Sequence, residues 1–422
     1  MIRRPRGTND RLSEDHVAWP HVIDTFTHEC ELRGFKPIST PTLEHTDLFS
    51  RTTGEQTDIV RKEMYSFEDR GGDSLTLRPE GTAPVVRAYL QNSMHNLLQP
   101  VKVAYVASVF RYDRPQAGRY REHHQIGAEA LGDANPAVDA EIINLLWSTY
   151  QALGISDLQL HINSLGDPDT RPKYREALIE YFTPLKPHLD PDSLRQLETN
   201  PLRLLDSKNP AVIALCDDAP RSVDFVNSEA REHFEDLKEL LDALDIPFTQ
   251  NNRLVRGLDY YNRTVFEFLP PDTGSQSTIG GGGRYDYLAE LIDGSHVAGV
   301  GFGSGIERVL LNMERLDQKP KSTASTSVYV APLVKGAVPT ALRISNDLQR
   351  VDISTESGFG PSSPRSHLRR ANALTAKIAI LIGEDELQKN VVAIKPLDGS
   401  DQIAVPRDQT VHTVRNLLKP ST

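Results

Sequence analysis

The sequence has little cysteine, no long apolar run and no excess of basic charge. Cys30 and Cys216 are the two cysteines among 422 residues, too few and too far apart for a disulfide framework or a cysteine-based zinc site. No segment approaches the roughly 18 apolar residues that a membrane helix needs, and polar residues follow the basic N-terminus where a signal peptide would have its apolar core. These features predict a cytoplasmic protein with two reduced, packed thiols.

Acidic residues outnumber basic ones, 58 to 47, and the formal net charge is −11. Such a charge is unsuited to a protein that coats nucleic acid through overall basicity, because phosphate binding draws on clustered lysine and arginine. Any contact with RNA must therefore use local basic patches. The length allows two to four domains of ~100–200 residues each.

Residues 101–131 predict a long antiparallel hairpin. Residues 101–111 are rich in β-formers, residues 124–131 alternate polar and apolar side chains, and a loop of about ten residues lies between them. Because side chains alternate across a strand, Gln125, Gly127 and Glu129 should share one face. The pattern predicts a polar pocket floor with room above Gly127.

Every second residue is glycine in the segment 299–305. If this segment is a strand, one face lacks side chains, which suits close approach of a flat ligand or another backbone. A dinucleotide-binding fold is disfavoured, because the next helix-packing glycine and a preceding βαβ unit are both missing. The segment leads into an amphipathic helix, with Arg308 near its N-terminus.

Five segments, in this order along the chain, resemble the class II aminoacyl-tRNA synthetases, and among them the histidine-specific enzymes. They are residues 75–83 (LTLRPEGTA), 110–121 (FRYDRPQAGRYR), 254–261 (LVRGLDYY), 282–286 (GGRYD) and 303–308 (GSGIER). The resemblance covers almost the whole chain. The segment 256–261 is the most specific to histidine.

The resemblance implies an α+β fold in which helices flank an antiparallel sheet. Changes in composition and in hydrophobic periodicity along the chain divide it into four parts. They are a catalytic core at 1–166 and 251–318, a helical inserted domain at 167–250, a linker at 319–327 and an α/β anticodon-binding domain at 328–422. A homodimer is implied by resemblance alone. Pro41 and the segments around it would form its interface.

The implied activity is a histidine–tRNA ligase reaction. Histidine would be activated with ATP and Mg²⁺ to histidyl-adenylate, with release of pyrophosphate, and then transferred to the 3′ end of histidine tRNA. Zinc is not expected. Negative charge accumulates at the α-phosphate during activation, so positioned cations are the main means of lowering the barrier.

Four residues are implied in ATP binding and catalysis. Arg111 and Arg256 would hold the α-phosphate, the second partly replacing a metal ion, and a planar guanidinium suits this role better than lysine. Arg308 would lie at the adenine and γ-phosphate. His123 stands where the family often has phenylalanine stacked on adenine; an imidazole stacks less well and can titrate, which predicts an altered ATP site.

Histidine recognition needs a hydrogen-bond acceptor and a donor at fixed places around the imidazole. The resemblance assigns these roles to Glu129 and Tyr261, with Tyr285 lining the pocket. The remaining residues implied in histidine binding are Glu80, Gly81, Thr82, Gln125, Arg256 and Tyr260. The alternative for Gln125 and Glu129 is an ordinary solvated strand face.

The loop at 114–121, here called the acceptor loop, resembles the segment that meets the tRNA acceptor stem. Arg114 and Gln116 match positions near the extra 5′ guanosine of histidine tRNA, although a solvated basic turn is the usual meaning of such a loop. In the C-terminal domain, the basic residues available for anticodon-stem phosphates are Arg365, Arg369, Arg370 and Lys377.

Two rival functions share much of this pattern. A synthetase-like regulatory subunit of ATP phosphoribosyltransferase would lack the anticodon domain and the intact segment 256–261. A synthetase for proline or threonine would use Arg111 and Arg308 but would not require that segment. The histidine enzyme is therefore favoured.

Overall fold

The computed structural model describes residues 2–12, 17–54, 57, 59–271, 278–320 and 326–419. The chain divides into two compact units, Met1–Pro320 and Lys321–Thr422. No helix among the described residues is both long enough and apolar enough to cross a membrane.

An eight-stranded sheet is the centre of the first unit. Its strands, in the order β1-β5-β6-β11-β10-β9-β7-β8, are antiparallel except for the edge pairs β1/β5 and β7/β8. The strands of this unit are β1 Lys36–Pro37, β2 Leu43–His45, β3 Tyr65–Glu68, β4 Ser74–Leu77, β5 Val101–Phe110, β6 Glu122–Leu131, β7 Gln159–Ser164, β8 Phe248–Gln250, β9 Asn262–Leu269, β10 Gly280–Arg284 and β11 Gly299–Gly305. Strands β2, β4 and β3 form a separate small sheet.

Helices cover one face of the large sheet and lie along the edges of the other face. They are α1 Ala18–Leu32, α2 Thr46–Thr53, α3 Thr82–Gln91, α4 Pro136–Ala152, α5 Arg171–Phe182, α6 Pro191–Thr199, α7 Pro210–Leu215, α8 Ser228–Ala243, α9 Leu288–Asp293 and α10 Ile306–Arg315. Apolar residues of α1, α4 and α10 pack with Ile126, Ala128 and Phe302 in the main core. The predicted α+β architecture is confirmed.

The predicted hairpin is β5 and β6, paired antiparallel over their full lengths. Ile126, Ala128 and Ala130 point into the main core, so Gln125, Gly127 and Glu129 occupy the opposite face. Strand β11 pairs with β6 and places Gly301 beside Glu129 and Gly303 beside Gly127. This polar, glycine-rich face is where the site forms.

The helical region 167–250 is less separate from the catalytic core than its composition and periodicity predicted. A hydrophobic cluster of its own spans residues 174–219, but Phe234, Leu237 and Leu241 of α8 pack in the main core. Strand β8 closes the region as an edge of the large sheet. An apolar stripe shows that a helix is half-buried but not which core buries it.

The second unit is an α/β domain, as predicted, and it is built on a five-stranded mixed sheet. Strand order is β13-β12-β14-β15-β16, with β12 parallel to both neighbours and the last three strands antiparallel. Its elements are β12 Val328–Pro332, β13 Thr355–Ser357, β14 Ile378–Ile382, β15 Val391–Pro396, β16 Ile403–Pro406, α11 Val338–Gln349, α12 Pro364–Ala373, α13 Glu384–Gln388 and α14 Thr410–Leu418.

Candidate active site

Three arginines from distant segments line one open cavity of about 380 Å³. Arg111 follows β5 and donates from Nε to the Pro79 carbonyl at 2.7 Å. Arg308, in the first turn of α10, donates from Nε to the Gly118 carbonyl at 3.0 Å. Arg256 precedes β9 and forms an ion pair with Glu267. Each guanidinium is thus held by part of its donor set, leaving other donors for a ligand.

The charges in this cavity are crowded. Burial lowers the pKa of Arg308, and the nearby guanidinium groups of Arg119 and Arg111 lower it further. Burial would also lower the pKa of Arg256, but Glu267, Tyr261 and Tyr260 together outweigh this effect, and the net shift is upward. Arginine stays protonated in either case. Five basic side chains and four carboxylates line the cavity, and its guanidinium donors suit an anion such as a triphosphate.

Glu129 is fully buried next to this cavity. Its Oε1 accepts hydrogen bonds from the Thr82 hydroxyl at 2.8 Å and the Tyr105 hydroxyl at 3.2 Å, and its Oε2 accepts one from the Tyr285 hydroxyl at 2.5 Å. Burial raises the pKa of Glu129 to about 8, despite the hydrogen bonds that favour its ionised form.

A second buried carboxylate lies at the beginning of α3. Glu80 accepts hydrogen bonds from the backbone N–H groups of Thr82 at 2.6 Å and Ala83 at 2.8 Å. Burial raises its pKa, whereas these hydrogen bonds and the charge of Arg111 act in the opposite direction. Glu80 and Glu129 therefore provide two acceptors beside an arginine-rich cavity, as a zwitterionic amino acid with a polar side chain requires.

Three tyrosines pack around this pair of carboxylates. The ring centroid of Tyr260 lies 4.7 Å from that of Tyr261 and 5.9 Å from that of Tyr285. The guanidinium of Arg256 lies 5.4 Å from the Tyr261 ring centroid, which joins the tyrosine cluster to the arginine cavity. The lining of the open cavity includes Gln125 and Arg256 but not Glu129 or the tyrosines. Among the described residues, Glu129 and these tyrosines form hydrogen bonds and ring contacts within their own cluster.

The expected room above Gly127 is filled by Tyr105. A Cβ atom at Gly127 would lie 2.3 Å from Cζ of the Tyr105 ring, and one at Gly81 would lie 2.4 Å from the same atom. Tyr105 stands opposite Gly127 in the β5/β6 ladder. The glycine is needed, but it accommodates a neighbouring ring and not open space.

His123 lines the arginine cavity, as predicted, but the prediction that it titrates is wrong. Burial lowers its pKa to about 3, and the charges of Arg111 and Arg308 add to this effect. Its Nδ1 atom is buried and makes no hydrogen bond to the described residues. His123 is therefore a neutral ring at any pH near neutrality.

The acceptor loop extends from the cavity into solvent. Arg114 and Gln116 are exposed, and the Gln116 and Arg119 backbones bond to each other at 3.0 and 2.9 Å. Arg119 forms an ion pair with Asp113, and the Arg121 guanidinium lies 3.7 Å from the Tyr112 ring centroid. The loop is thus an ordered, basic projection at the cavity mouth.

Comparison with known families accounts for both units. The family model described as histidyl-tRNA synthetase matches residues 7–167 and 190–309. The model described as anticodon binding domain matches residues 327–417. The chain belongs to the histidyl-tRNA synthetase family.

Relatives named histidine–tRNA ligase match the chain over nearly its whole length. The protein from Dehalococcoides mccartyi is 45% identical over 99% of this chain and 100% of its own, and that from Corynebacterium kroppenstedtii is 43% identical over 98% and 97%. The crystal structure of apo histidyl-tRNA synthetase from S. aureus has a TM-score of 0.80 and 36% identity, covering 98% of this chain and 100% of that one.

Several residues of this synthetase site were missed from the sequence. Tyr105 bonds to Glu129, Glu267 pairs with Arg256, and Asp206 and Lys208 of the helical region line the arginine cavity. Alternation along β5 and the glycine opposite it could have indicated Tyr105. Nothing in the local pattern around Asp206 or Lys208 distinguishes them from surface charges.

Proposed function

We propose that this member of the histidyl-tRNA synthetase family charges histidine tRNA, and that its chemistry takes place where the arginine cavity meets the Glu80–Glu129 pair. The observation that carries the proposal is the convergence of Arg111, Arg256 and Arg308 on one cavity beside a buried carboxylate held by Thr82, Tyr105 and Tyr285.

In the first step, an oxygen of the histidine carboxylate attacks the α-phosphorus of ATP. The new bond makes histidyl-adenylate, and the bond to the β-phosphate oxygen breaks to release pyrophosphate. Arg111 and Arg256 stabilise the charge at the α-phosphate, and Arg308 holds the γ-phosphate end. ATP enters as its Mg²⁺ complex, and Asp206 and Glu267 on the cavity wall are oxygen ligands of the kind that Mg²⁺ prefers.

Histidine is selected by its imidazole. Glu129 accepts the ring N–H, Tyr261 contacts the other nitrogen, and Tyr260 and Tyr285 pack around the ring. Glu80, Thr82 and Gln125 hold the amino and carboxylate groups. An amino acid whose side chain has no matching donor and acceptor would gain no hydrogen bonds from Glu129 and Tyr261, and this difference in hydrogen bonding selects histidine.

In the second step, the 3′-terminal hydroxyl of tRNA attacks the carbonyl carbon of histidyl-adenylate and AMP leaves. Arg114 and Gln116 on the exposed acceptor loop contact the acceptor end, and the second unit binds the anticodon. We also propose a homodimer, supported by the exposed apolar side chains of Leu43 and Phe67 in the small sheet and of Val106 in the large sheet. The cytoplasmic location stays a prediction of the sequence.

The deciding experiment is ATP–pyrophosphate exchange driven separately by histidine, proline and threonine. Only histidine should support exchange, and Arg256→Ala should lower it by about 10²–10³-fold with unchanged circular dichroism. Arg253→Ala is the matched control, because Arg253 faces a different groove and should leave exchange near normal. Exchange with proline or threonine, or none at all, would reject the function. Near-normal exchange in Arg256→Ala would remove that residue from the mechanism.

A further inference from the structure

An N-terminal arm, residues 2–12, is docked against the base of the acceptor loop. The Gly7 carbonyl accepts hydrogen bonds from the backbone N–H of Arg121 at 2.7 Å and of Glu122 at 3.4 Å. Gly7 has φ +86°, and a Cβ atom there would lie 2.7 Å from Cγ of Arg121 and 3.0 Å from Cγ of Pro115. A residue without a side chain is therefore required at this contact.

Two further contacts hold the arm. The Thr8 hydroxyl and N–H both donate to the Pro5 carbonyl, at 2.9 and 3.3 Å, which closes a tight turn around Gly7. After this turn, the Arg11 guanidinium lies 4.2 Å from the Trp19 ring centroid, a cation–π contact with a residue of the main core. Residues 3, 4 and 6 thus project from an anchored turn.

The docked arm and the loop together form a basic surface patch on a protein of net negative charge. Residues 2–12 and 111–122 contain eight arginines and three acidic residues, a formal charge of +5 against −11 for the chain. Within the arm, Arg3, Arg4 and Arg6 are exposed. Arg4 lies 3.6 Å from Asp10, and among the described residues Arg3 and Arg6 form no ion pair.

Isolated surface arginines are ordinary, but this arrangement differs from scattered surface charge in two respects. Its net charge is positive in a chain whose net charge is negative, and backbone hydrogen bonds hold the arm against the loop that carries Arg114 and Gln116. Clustered guanidinium groups suit a phosphate backbone.

We infer that Arg3, Arg4 and Arg6 extend the acceptor-loop surface and bind phosphates of the tRNA acceptor stem. The inference rests on the proposed function, since it assumes that the acceptor loop meets tRNA. Phosphate contacts carry no sequence information, so the arm contributes affinity and orientation, whereas Arg114 and Gln116 contribute selectivity.

The test is tRNA binding by the full chain over a range of salt concentrations. Arg3→Ala/Arg4→Ala should raise the Kd for histidine tRNA at least fivefold and reduce the slope of log Kd against log salt by about 1–2, because each phosphate contact contributes about one. A minihelix with only the acceptor stem should show the same loss. Histidine-dependent ATP–pyrophosphate exchange should be unchanged.

Arg70→Ala/Arg231→Ala is the matched control, because it removes the same charge from exposed positions outside the arm and loop. The inference would be overturned if Arg3→Ala/Arg4→Ala had the same slope of log Kd against log salt as this control. It would also be overturned if Arg3→Ala/Arg4→Ala bound the minihelix with wild-type affinity. Gly7→Ala keeps every charge but disturbs the docked turn, so wild-type affinity in that variant would overturn the docked geometry. Failure of exchange in the wild-type protein would instead reject the proposed function.

Discussion

The Tyr285 hydroxyl donates to Oε2 of Glu129 at 2.5 Å while both side chains are buried in the same cluster. Thr82 and Tyr105 donate to the other carboxylate oxygen. Even with these three donors, burial raises the pKa of Glu129 to about 8. Most of the protein therefore carries a neutral Glu129 at pH 7, and about half of the protein carries the ionised form near pH 8.

The KM for histidine should fall as the pH rises from 7 to 8. In the proposed histidine site, the ionised form of Glu129 accepts the imidazole N–H. With a pKa of about 8, the population of this form rises about fivefold over this interval. Free histidine does not explain the change, because its imidazole, with a pKa of about 6.5, is already mostly neutral. Initial-rate measurements of exchange would give the profile, with the KM for ATP as internal control. A histidine KM that is constant over this interval would contradict the assignment.

Glu129→Gln should make the protein more stable at pH 8 while abolishing histidine activation. The pKa of Glu129 is raised from 4.5 to about 8 by folding, so the unfolded chain ionises first and stability is lost progressively between those two pH values. Glutamine has the same shape and no charge to bury. Thermal unfolding should show a gain of about 2–4 °C at pH 8 and a much smaller one at pH 5. An equal gain at both pH values would disprove the ionisation argument.

Gly301→Ala and Gly303→Ala should have very different effects, although both residues lie on β11 two positions apart. A Cβ atom at Gly301 would lie 1.6 Å from Oε2 of Glu129 and 2.6 Å from the Ala128 carbonyl, whereas one at Gly303 would come no closer than 3.4 Å, to Gln125. We expect Gly301→Ala to lower histidine-dependent exchange at least ~100-fold and Gly303→Ala to keep the wild-type fold with a much smaller loss. Equal activities would show that Glu129 is not fixed where β11 places it.

These contrasts also mark what the sequence could predict. Alternation along β6 placed Gln125 and Glu129 on one face, and the glycines of β11 indicated a close approach, because both signals depend on two-residue periodicity within a single strand. Tyr105 was not predicted, because two-residue periodicity within one strand does not indicate which side chain of a neighbouring strand fills the space over Gly127.

Convergence of distant segments was harder to derive. Family resemblance, and not pattern, brought Arg111, Arg256 and Arg308 together in the prediction. Asp206 and Lys208 reach the same cavity from the helical region, and local sequence contains no signal for that approach. The boundary of the helical region 167–250 could not be predicted from the sequence either, because the apolar stripe of α8 could have packed on the cluster at 174–219 or on the main core.

His123→Phe should leave the pH dependence of ATP binding unchanged. Because burial and two neighbouring guanidinium groups lower the pKa of His123 to about 3, the ring stays neutral between pH 6 and 8.5. Phenylalanine should alter the KM for ATP by a constant factor across this range, through its larger stacking surface. Parallel KM profiles of the two proteins are the expected result. A step near pH 6–7 that occurs only in the wild-type protein would show that His123 titrates after all.

Removing Asp139 should destabilise the first unit far more than removing Asp157. Asp139 and Arg284 are both 0% exposed, and Arg284 is also held by Asp286 at 3.0 Å. Burial would raise the pKa of Asp139, but Arg284 and His233 together outweigh that effect, and the net shift is downward. The carboxylate is thus charged at every pH above its ordinary range, and its contribution is lost only as the pH falls below that range.

Asp139→Ala removes one of the two carboxylates that pair with the buried Arg284 guanidinium, and breaking a buried pair costs about 3–5 kcal/mol. Asp157→Ala is the control: its bidentate pair with Arg315, at 2.6 and 2.8 Å, is about a third exposed and contributes roughly 0–1 kcal/mol. Urea unfolding followed by tryptophan fluorescence is the measurement, because Trp19 and Trp147 both lie in the first unit and report on it alone. Since Arg284 directly precedes Tyr285, loss of the buried pair should also raise the KM for histidine in Asp139→Ala protein that still folds. Similar unfolding free energies for the two variants would mean that the buried pair does not hold this strand in place.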